Sequence, residues 1–136
     1  MPLPSLKNIE WVTTDCYGDL IDWEKGISEA CLKEAEKDGF SFEIDPFMER
    51  FFEVQAEIMA GSYELYAEVL RRTIIKVAGE IGWEVEPSRA QFLPDSVAYW
   101  MPFREANAAM DRLAKKFNVG IISNIDDKML GISRRH

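Results

Sequence analysis

The sequence predicts an α/β fold in which a parallel sheet is interrupted by a long helical segment. Residues 9–15 (IEWVTTD) and 118–124 (NVGIISN) have the β-branched and apolar composition of strands. The segment between them repeats apolar residues at the three- and four-residue spacing of amphipathic helices. The second strand is almost continuously apolar, which is typical of a strand buried on both faces of a parallel sheet.

The first helix is expected to follow the first strand after a Tyr-Gly turn. It spans residues 23–38, and Gly39 ends it. The residues expected on its buried face are Ile27, Cys31 (or Leu32) and Ala35.

The next two helices carry the strongest periodicity in the sequence. In residues 44–61 (IDPFMERFFEVQAEIMAG), Asp45 suits an N-cap, Pro46 suits the first helical position and Gly61 closes the helix. A third helix is predicted over residues 64–81. The apolar stripes of these two helices are Phe47, Phe51, Val54 and Ile58, and Tyr66, Leu70, Ile74, Val77 and Ile81.

The C-terminal third predicts a return to the sheet. A shorter helix is expected after Pro87 and is broken by Pro94. Residues 102–117 predict an amphipathic helix before the second strand. A last helix begins near residue 125, with Asp126 and Asp127 in its first turn, where the helix dipole favours acids. The apolar seam of the helix over 102–117 is Phe103, Ala106, Met110, Leu113 and Phe117.

Length and charge limit the functions that the chain can have. Its 136 residues suffice for one domain, or one domain with an insert, and 47% hydrophobic residues can form a core. The net charge of −8 and the lack of any Lys/Arg run longer than two argue against nucleic-acid binding. The same charge disfavours adsorption to anionic membranes, and no apolar run reaches the roughly 18 residues of a membrane span.

The reactive side chains are limited as well. Cys16 and Cys31 lack metal-ligand spacing, and the N-terminal residues lack the apolar segment of a secretory signal. We therefore expect a cytoplasmic protein with reduced cysteines, in which Cys16 is a small buried apolar residue. The only histidine is His136, which excludes histidine triads and histidine-ligated zinc. Carboxylates, hydroxyls, Lys, Arg and backbone groups remain for chemistry.

Polar residues stand at the carboxyl ends of both predicted strands. Asp15 ends the first strand, and Ser123 and Asn124 end the second. In parallel α/β sheets ligands bind at this edge, so these residues are expected to face one another across a crevice. A carboxylate there can attack an electrophilic carbon or phosphorus, while a hydroxyl and an amide can hold a substrate oxygen or leaving group.

Two motifs resemble those of the haloacid dehalogenase superfamily. The stretch DCYGDLIDWEKGI is similar to the first motif in the form D-x-Y-G-T-L-x-D-W-E, which 2-haloacid dehalogenases use. GIISNIDD is similar to the second motif, and the helical stretch between them resembles the cap that these proteins insert after the first strand. The resemblance spans roughly residues 9–136. It implies a Rossmann-like, incomplete parallel-sheet core (1–22 and 101–136) with an inserted helical cap (23–100).

The resemblance also implies roles for individual residues. Asp15 matches the nucleophile, which forms an ester with the substrate, while Ser123 and Asn124 match the second-motif residues that orient the nucleophile, substrate or leaving group. Tyr17 takes the position where phosphatase relatives have a second Asp that protonates the leaving alcohol. Tyrosine, with an ordinary pKa near 10, is a poor acid at neutral pH. A halide leaves without a proton, so Tyr17 favours dehalogenase-like chemistry.

The sequence also departs from the family pattern. Asp19 replaces a Thr that donates a hydrogen bond, and its charge would repel an anionic haloacid. Asp19 and Asp22 are expected to be loop or helix-capping acids, because Tyr17 at the third position breaks the spacing of a calcium loop. No local motif gives Arg50 the role of the cap arginine that grips the substrate carboxylate. The third and fourth motifs are absent, as in the N-terminal part of a longer hydrolase.

The expected function follows from this resemblance. It is hydrolysis of a small anionic organic substrate through Asp15, without a metal cofactor, and 2-haloacid dehalogenation is the best specific interpretation. A phosphatase of the same superfamily, for which Mg²⁺ is possible, is the alternative. Another is a catalytically inactive fragment that acts by association. Because two parallel strands leave both sheet edges unpaired, we expect a homo-oligomer.

Overall fold

A computed structural model describes residues 5–136, and in that range it contains a two-stranded parallel sheet and six α-helices. Short 3-10 turns over residues 6–8 and 97–99 complete the regular structure. The elements are β1 (Trp11–Thr14), α1 (Trp23–Lys37), α2 (Ile44–Met59), α3 (Tyr66–Glu80), α4 (Phe92–Ser96), α5 (Ala106–Ala114), β2 (Asn118–Ile121) and α6 (Asp127–Ser133). Within the described residues no helix is both long enough and apolar enough to cross a membrane.

The two strands pair in parallel, as the α/β prediction requires. The register runs from Trp11 opposite Asn118 to Thr14 opposite Ile121. The expectation that β2 is buried on both faces is wrong, because Ile121 is 39% exposed and Ile122, just after the strand, is 70% exposed. The physical reason is the size of the sheet: among residues 5–136, β2 has one neighbouring strand, so part of its apolar surface has no layer to cover it.

Helix α1 confirms the predicted buried face and both of its ends. Ile27, Cys31 and Ala35 are buried, whereas Leu32, the alternative to Cys31, is exposed. Asp22 is the N-cap, and its Oδ1 accepts a hydrogen bond from the backbone N–H of Lys25 at 3.2 Å. Gly39 follows the helix with a φ of +66°, the left-handed conformation that glycine adopts without steric cost.

Helix α2 begins earlier than its sequence predicts. Ile44 is the first helical residue and Glu43 the N-cap, so Asp45 lies in the first turn instead of capping it. Pro46 occupies the third helical position. The change costs little, because none of the first four N–H groups of a helix has an acceptor within the helix. The predicted apolar stripe is confirmed, with Phe47, Phe51 and Val54 buried and Ile58 half-buried.

Helices α2 and α3 pack against each other and against α1 and α4, and the largest buried side chains lie among these helices. The predicted stripe of α3 is buried from Tyr66 to Val77. Ile81 is 40% exposed because α3 ends at Glu80. The fully buried side chains of greatest volume are Trp83, Trp100, Phe51, Ile27, Leu70, Ile74 and Leu93.

Two predictions for the C-terminal third are wrong in detail. Pro94 does not break a helix but lies in the first turn of α4, where its missing N–H removes no hydrogen bond. Helix α5 begins at Ala106 instead of residue 102, and Ala106 is the one buried member of its predicted seam. Phe103, in the preceding turn, is 36% exposed. The division into a core (1–22 and 101–136) and a cap (23–100) stays a prediction, and residues 1–4 lie outside the described range.

Candidate active site

The turn after β1 directs the chain from the sheet into α1. The carbonyl of Cys16 accepts hydrogen bonds from the N–H groups of Leu20 (2.8 Å) and Ile21 (2.9 Å). Gly18 has a φ of +94°, and a Cβ at this position would lie 3.0 Å from Nε1 of Trp23. Both the backbone conformation and the neighbouring indole therefore require glycine in this Tyr-Gly turn.

The parallel register brings the two strand ends together. The N–H of Ile122 donates to the carbonyl of Thr14 at 2.9 Å, so pairing continues up to Asp15 and Ser123. Asp15 is exposed, and its Oδ1 accepts the N–H of Cys16 at 2.6 Å. An open cavity of about 210 Å³ lies at this edge of the sheet. Its lining is Asp15, Tyr17, Trp23, Gln55, Met59, Tyr66, Ser123, Asn124 and Ile125.

All four residues that the sequence predicts for the site, Asp15, Tyr17, Ser123 and Asn124, line this one cavity. Their predicted reactions with a substrate stay predictions. A larger cavity of about 390 Å³ lies between α1 and α4 and contains none of the four. We assign the site by its chemistry, because only the smaller cavity combines a carboxylate at a strand end with the polar residues of the neighbouring strand end.

Tyr17 uses its hydroxyl for a contact within the protein. The phenolic oxygen lies 2.5 Å from Oγ of Ser133 in α6, and the ring meets that of Trp100 edge to face at 6.0 Å. Burial raises the pKa of Tyr17 above its ordinary value, and the hydrogen bond between Tyr17 and Ser133 offsets only part of this. At neutral pH the phenol keeps its proton, which makes it a weak general acid.

Two polar residues of α2 and α3, Gln55 and Tyr66, also line the cavity, although the sequence did not predict them as site residues. Gln55 of α2 is 8% exposed and Tyr66 of α3 is 9% exposed. The Tyr66 hydroxyl donates to Oε1 of Gln55 at 2.9 Å. Burial raises the pKa of Tyr66 above its ordinary value. The sequence contains one indication of this role for Gln55, because it is a polar residue next to Val54 of the predicted buried stripe.

Asp126 has a different role from the expected one. It precedes α6 instead of lying in its first turn, and its side chain does not cap that helix. Its Oδ1 accepts the N–H of Tyr66 at 2.6 Å, and its Oδ2 accepts the N–H of Ala67 at 2.9 Å. The carboxylate thus caps the N-terminus of α3, where the helix dipole favours a negative charge.

Other residues considered from the sequence lie away from the cavity. Asp19 is exposed on the turn and is not part of the lining. Arg50 pairs with Glu53 (2.9 Å) and Glu80 (2.8 Å) on the surface. Cys16 is buried, as expected, and burial, with a smaller effect of the neighbouring Asp15, raises the pKa of its thiol.

The lining has one acidic side chain and no basic one among the described residues. Asp15 supplies the carboxylate, and hydroxyls and amides supply the hydrogen-bond donors. Within residues 5–136 no group of three His, Cys, Asp or Glu side chains is placed to hold a metal ion. Mg²⁺ is commonly bound by one or two carboxylates together with water and substrate phosphates, so the expectation of no metal cofactor stays a prediction.

The fold is similar to that of known dehalogenases. A defluorinating L-2-haloacid dehalogenase superimposes with a TM-score of 0.80 at 18% identity, covering 99% of this chain and 60% of the other. The L-2-haloacid dehalogenase of Xanthobacter autotrophicus with covalently bound chloropropionic acid gives 0.73 at 20% identity, covering 91% and 50%. A HAD-hydrolase of Bacillus subtilis bound to magnesium gives 0.77 at 12% identity, covering 93% and 59%.

At identities of 12–20%, these similarities concern the fold alone. The chain therefore has the α/β architecture of haloacid dehalogenase-type proteins, a partial sheet with a helical cap, and spans 50–60% of the length of these three structures. No protein-family model matches the sequence, and no curated protein resembles it closely enough to count as a match.

Proposed function

We propose that the chain belongs to the haloacid dehalogenase superfamily and acts as a hydrolase whose nucleophile is Asp15. The observation that carries the proposal is the shared cavity at the sheet edge, which joins Asp15 after β1 to Ser123 and Asn124 after β2. The fold it shares with L-2-haloacid dehalogenases supports a small organic acid, and a 2-haloacid in particular, as the substrate.

The reaction divides into two steps. A carboxylate oxygen of Asp15 attacks the carbon that bears the halogen, a carbon–oxygen bond forms, and the halide leaves with the electron pair of the broken bond. Water then attacks the carboxyl carbon of the resulting ester and regenerates Asp15, releasing a 2-hydroxy acid and a proton. Ser123 and Asn124 offer hydrogen bonds to the leaving halide or to the substrate oxygens.

Tyr17 supports a halide as the leaving group. Its phenol is engaged with Ser133 and its pKa is raised by burial, so it is poorly suited to protonate an alcohol. Halide departure needs no proton. A phosphatase-type hydrolase, the alternative within the superfamily, would need a general acid here, and an aryl phosphate is the substrate that tests it.

The second step needs a base to activate water. Asp15 is the one carboxylate in the described lining, and it is consumed in the first step. We therefore expect the ester to accumulate, with halide released once per chain and slow turnover afterwards. The remaining alternative, a chain that acts only by association, predicts no halide release.

Incubation with 2-chloropropionate tests the proposal. Chloride release is measured together with the mass of the intact protein, which should rise by one 1-carboxyethyl group, the substrate without its chlorine. Asp15→Asn should abolish both signals, while the matched variant Asp19→Asn, on the exposed part of the same turn, should leave them within about twofold. Chloride release that persists in Asp15→Asn would remove Asp15 from the mechanism.

A further inference from the structure

Gln55 is the most buried polar side chain that reaches the cavity from the cap. It follows the buried Val54 in α2, is 8% exposed and shares the cavity with Asp15. A buried amide requires hydrogen-bond partners for its oxygen and its nitrogen. Among residues 5–136 only the amide oxygen has a partner, the hydroxyl of Tyr66.

Tyr66 fixes which half of the amide faces the cavity. Burial keeps the phenol of Tyr66 protonated, and it donates to Oε1 of Gln55 at 2.9 Å. Nε2 makes no hydrogen bond to another described residue, yet no fully buried side-chain nitrogen or oxygen in the described range lacks a partner. Nε2 is therefore accessible from the cavity. The reverse orientation would turn an acceptor toward a cavity that already holds the Asp15 carboxylate.

The charges of the lining select among possible ligands. A substrate carboxylate would enter beside Asp15 without a basic side chain from the described lining to compensate it. An uncharged carbonyl group avoids this repulsion and still accepts hydrogen bonds from neutral donors. The donors available for such an oxygen are Gln55, Ser123 and Asn124.

We propose that Gln55, held by Tyr66, is a specificity-determining residue whose Nε2 donates to a carbonyl oxygen of the substrate, so that the site binds uncharged 2-haloamides more tightly than 2-haloacids. The inference rests on the proposed function and widens its substrate class from acids to their amides. The chemical step at Asp15 is unchanged, because the reacting carbon bears the halogen in both classes.

Propionamide and propionate test the proposal, because they carry the two groups but no halogen and so bind without reacting. The affinity of the full chain for each is measured at neutral pH by NMR titration. We expect propionamide to bind at least fivefold more tightly. Gln55→Met, which keeps the volume, should weaken propionamide binding at least fivefold. Gln55→Lys should shift the preference toward propionate at least tenfold.

Two further variants and a check of folding make the binding result interpretable. Tyr66→Phe leaves Gln55 in place but removes its anchor and should weaken propionamide binding, while Gln91→Met, at an exposed glutamine outside the cavity, should change neither affinity. Thermal unfolding checks that each variant is folded. If Gln55→Lys does not fold, Gln55→Met and Tyr66→Phe decide the outcome.

The proposal is overturned if propionate binds as tightly as propionamide, if neither ligand binds, or if the folded Gln55 variants leave the ratio unchanged. Halide release from 2-chloropropionate reports separately on the proposed function. Amide selectivity without any halide release would contradict only the proposed reaction. Halide release without amide selectivity would contradict only the role of Gln55.

Discussion

The carboxylate of Asp126 holds the N-terminus of α3 through the backbone N–H of Tyr66, at 2.6 Å. The second oxygen accepts the N–H of Ala67 at 2.9 Å. Asp126 follows the second strand, whereas Tyr66 lies 60 residues earlier in the chain and lines the cavity with Asn124. One side chain thus ties the loop after β2 to the helix that forms the other side of the site.

Removing this carboxylate should destabilise the protein. We expect Asp126→Ala to lower the free energy of unfolding by about 1–2 kcal/mol, the usual cost of losing a helix N-cap. Asp127→Ala removes an exposed acid one position later and should cost no more than about 0.5 kcal/mol. Urea unfolding measures both values. Equal losses in the two variants would show that the contact with α3 adds no stability.

Two helical glycines should respond in opposite directions to the same substitution. A Cβ at Gly26 in α1 would lie 2.4 Å from Cδ1 of Trp100, a side chain that is 1% exposed and cannot move away. Gly26→Ala should therefore cost about 1–3 kcal/mol. Nothing lies within 4 Å of a Cβ at Gly79 in α3, so Gly79→Ala should stabilise the protein by about 0.5–1 kcal/mol.

Thermal unfolding of the two alanine variants checks this pair. A rise in the melting temperature of Gly26→Ala would mean that α1 can shift away from Trp100, contrary to the packing described above. A fall for Gly79→Ala would point to a requirement for glycine in α3 that its open surroundings do not indicate.

Arg89 should make stability depend on pH in the acidic range. Its Nη2 lies 2.9 Å from Asp38 and 3.1 Å from Glu34. Hydrogen bonds from Arg89, and then from Trp83, lower the pKa of Asp38. Burial alone would raise the pKa of Glu34, but hydrogen bonds from Lys37 and Arg89 bring it below its ordinary value.

A carboxyl group whose pKa is lower in the folded state than in the unfolded state stabilises the folded protein at pH values above its unfolded pKa. That stability is lost as the pH falls below about 4. Arg89→Met should weaken this loss, so that its unfolding free energy changes less between pH 6 and pH 3 than that of the parent. Arg104→Met, at an exposed arginine, serves as the control. Parallel pH profiles for all three proteins would contradict the assignment.

The exposed apolar residues of the sheet should promote self-association. Trp11 of β1 is 63% exposed and Ile122 after β2 is 70% exposed, and each strand has one partner among the described residues. Light scattering should show a dimer or larger species for the parent chain and a smaller one for Trp11→Glu combined with Ile122→Lys. Tyr99→Glu, at an aromatic residue that is 80% exposed elsewhere, should not change the mass. A monomeric parent with cooperative unfolding would contradict the prediction.

Several local features of α1 were predicted correctly, because a short range of sequence determines them. The Asp22 cap, the turn at Gly39 and the buried face of α1 each depend on residues within one or two helical turns. The position of Asp15 and Ser123 at one edge of the sheet also follows from sequence, because parallel strands end at the same edge.

Features that depend on distant partners were missed or mistaken. Periodicity shows that Tyr66 is buried, but it cannot show that Asp126 caps its helix or that Gln55 accepts a hydrogen bond from its hydroxyl group. The exposure of Ile121 has the same origin, since an apolar strand is buried only where other elements cover it. Pro94 was mistaken for a helix breaker because its effect depends on its position within the first turn.

The register of the sheet has a consequence for the order of folding. Trp11 and Asn118 are more than a hundred residues apart along the chain, whereas α2 and α3 are neighbours in sequence and in space. Closing the longer loop costs more conformational entropy, so we expect the helical hairpin to form early and the strands to pair late. During synthesis the strand that precedes Asp15 is made more than a hundred residues before β2, so it gains its partner only after the helices between them have been made.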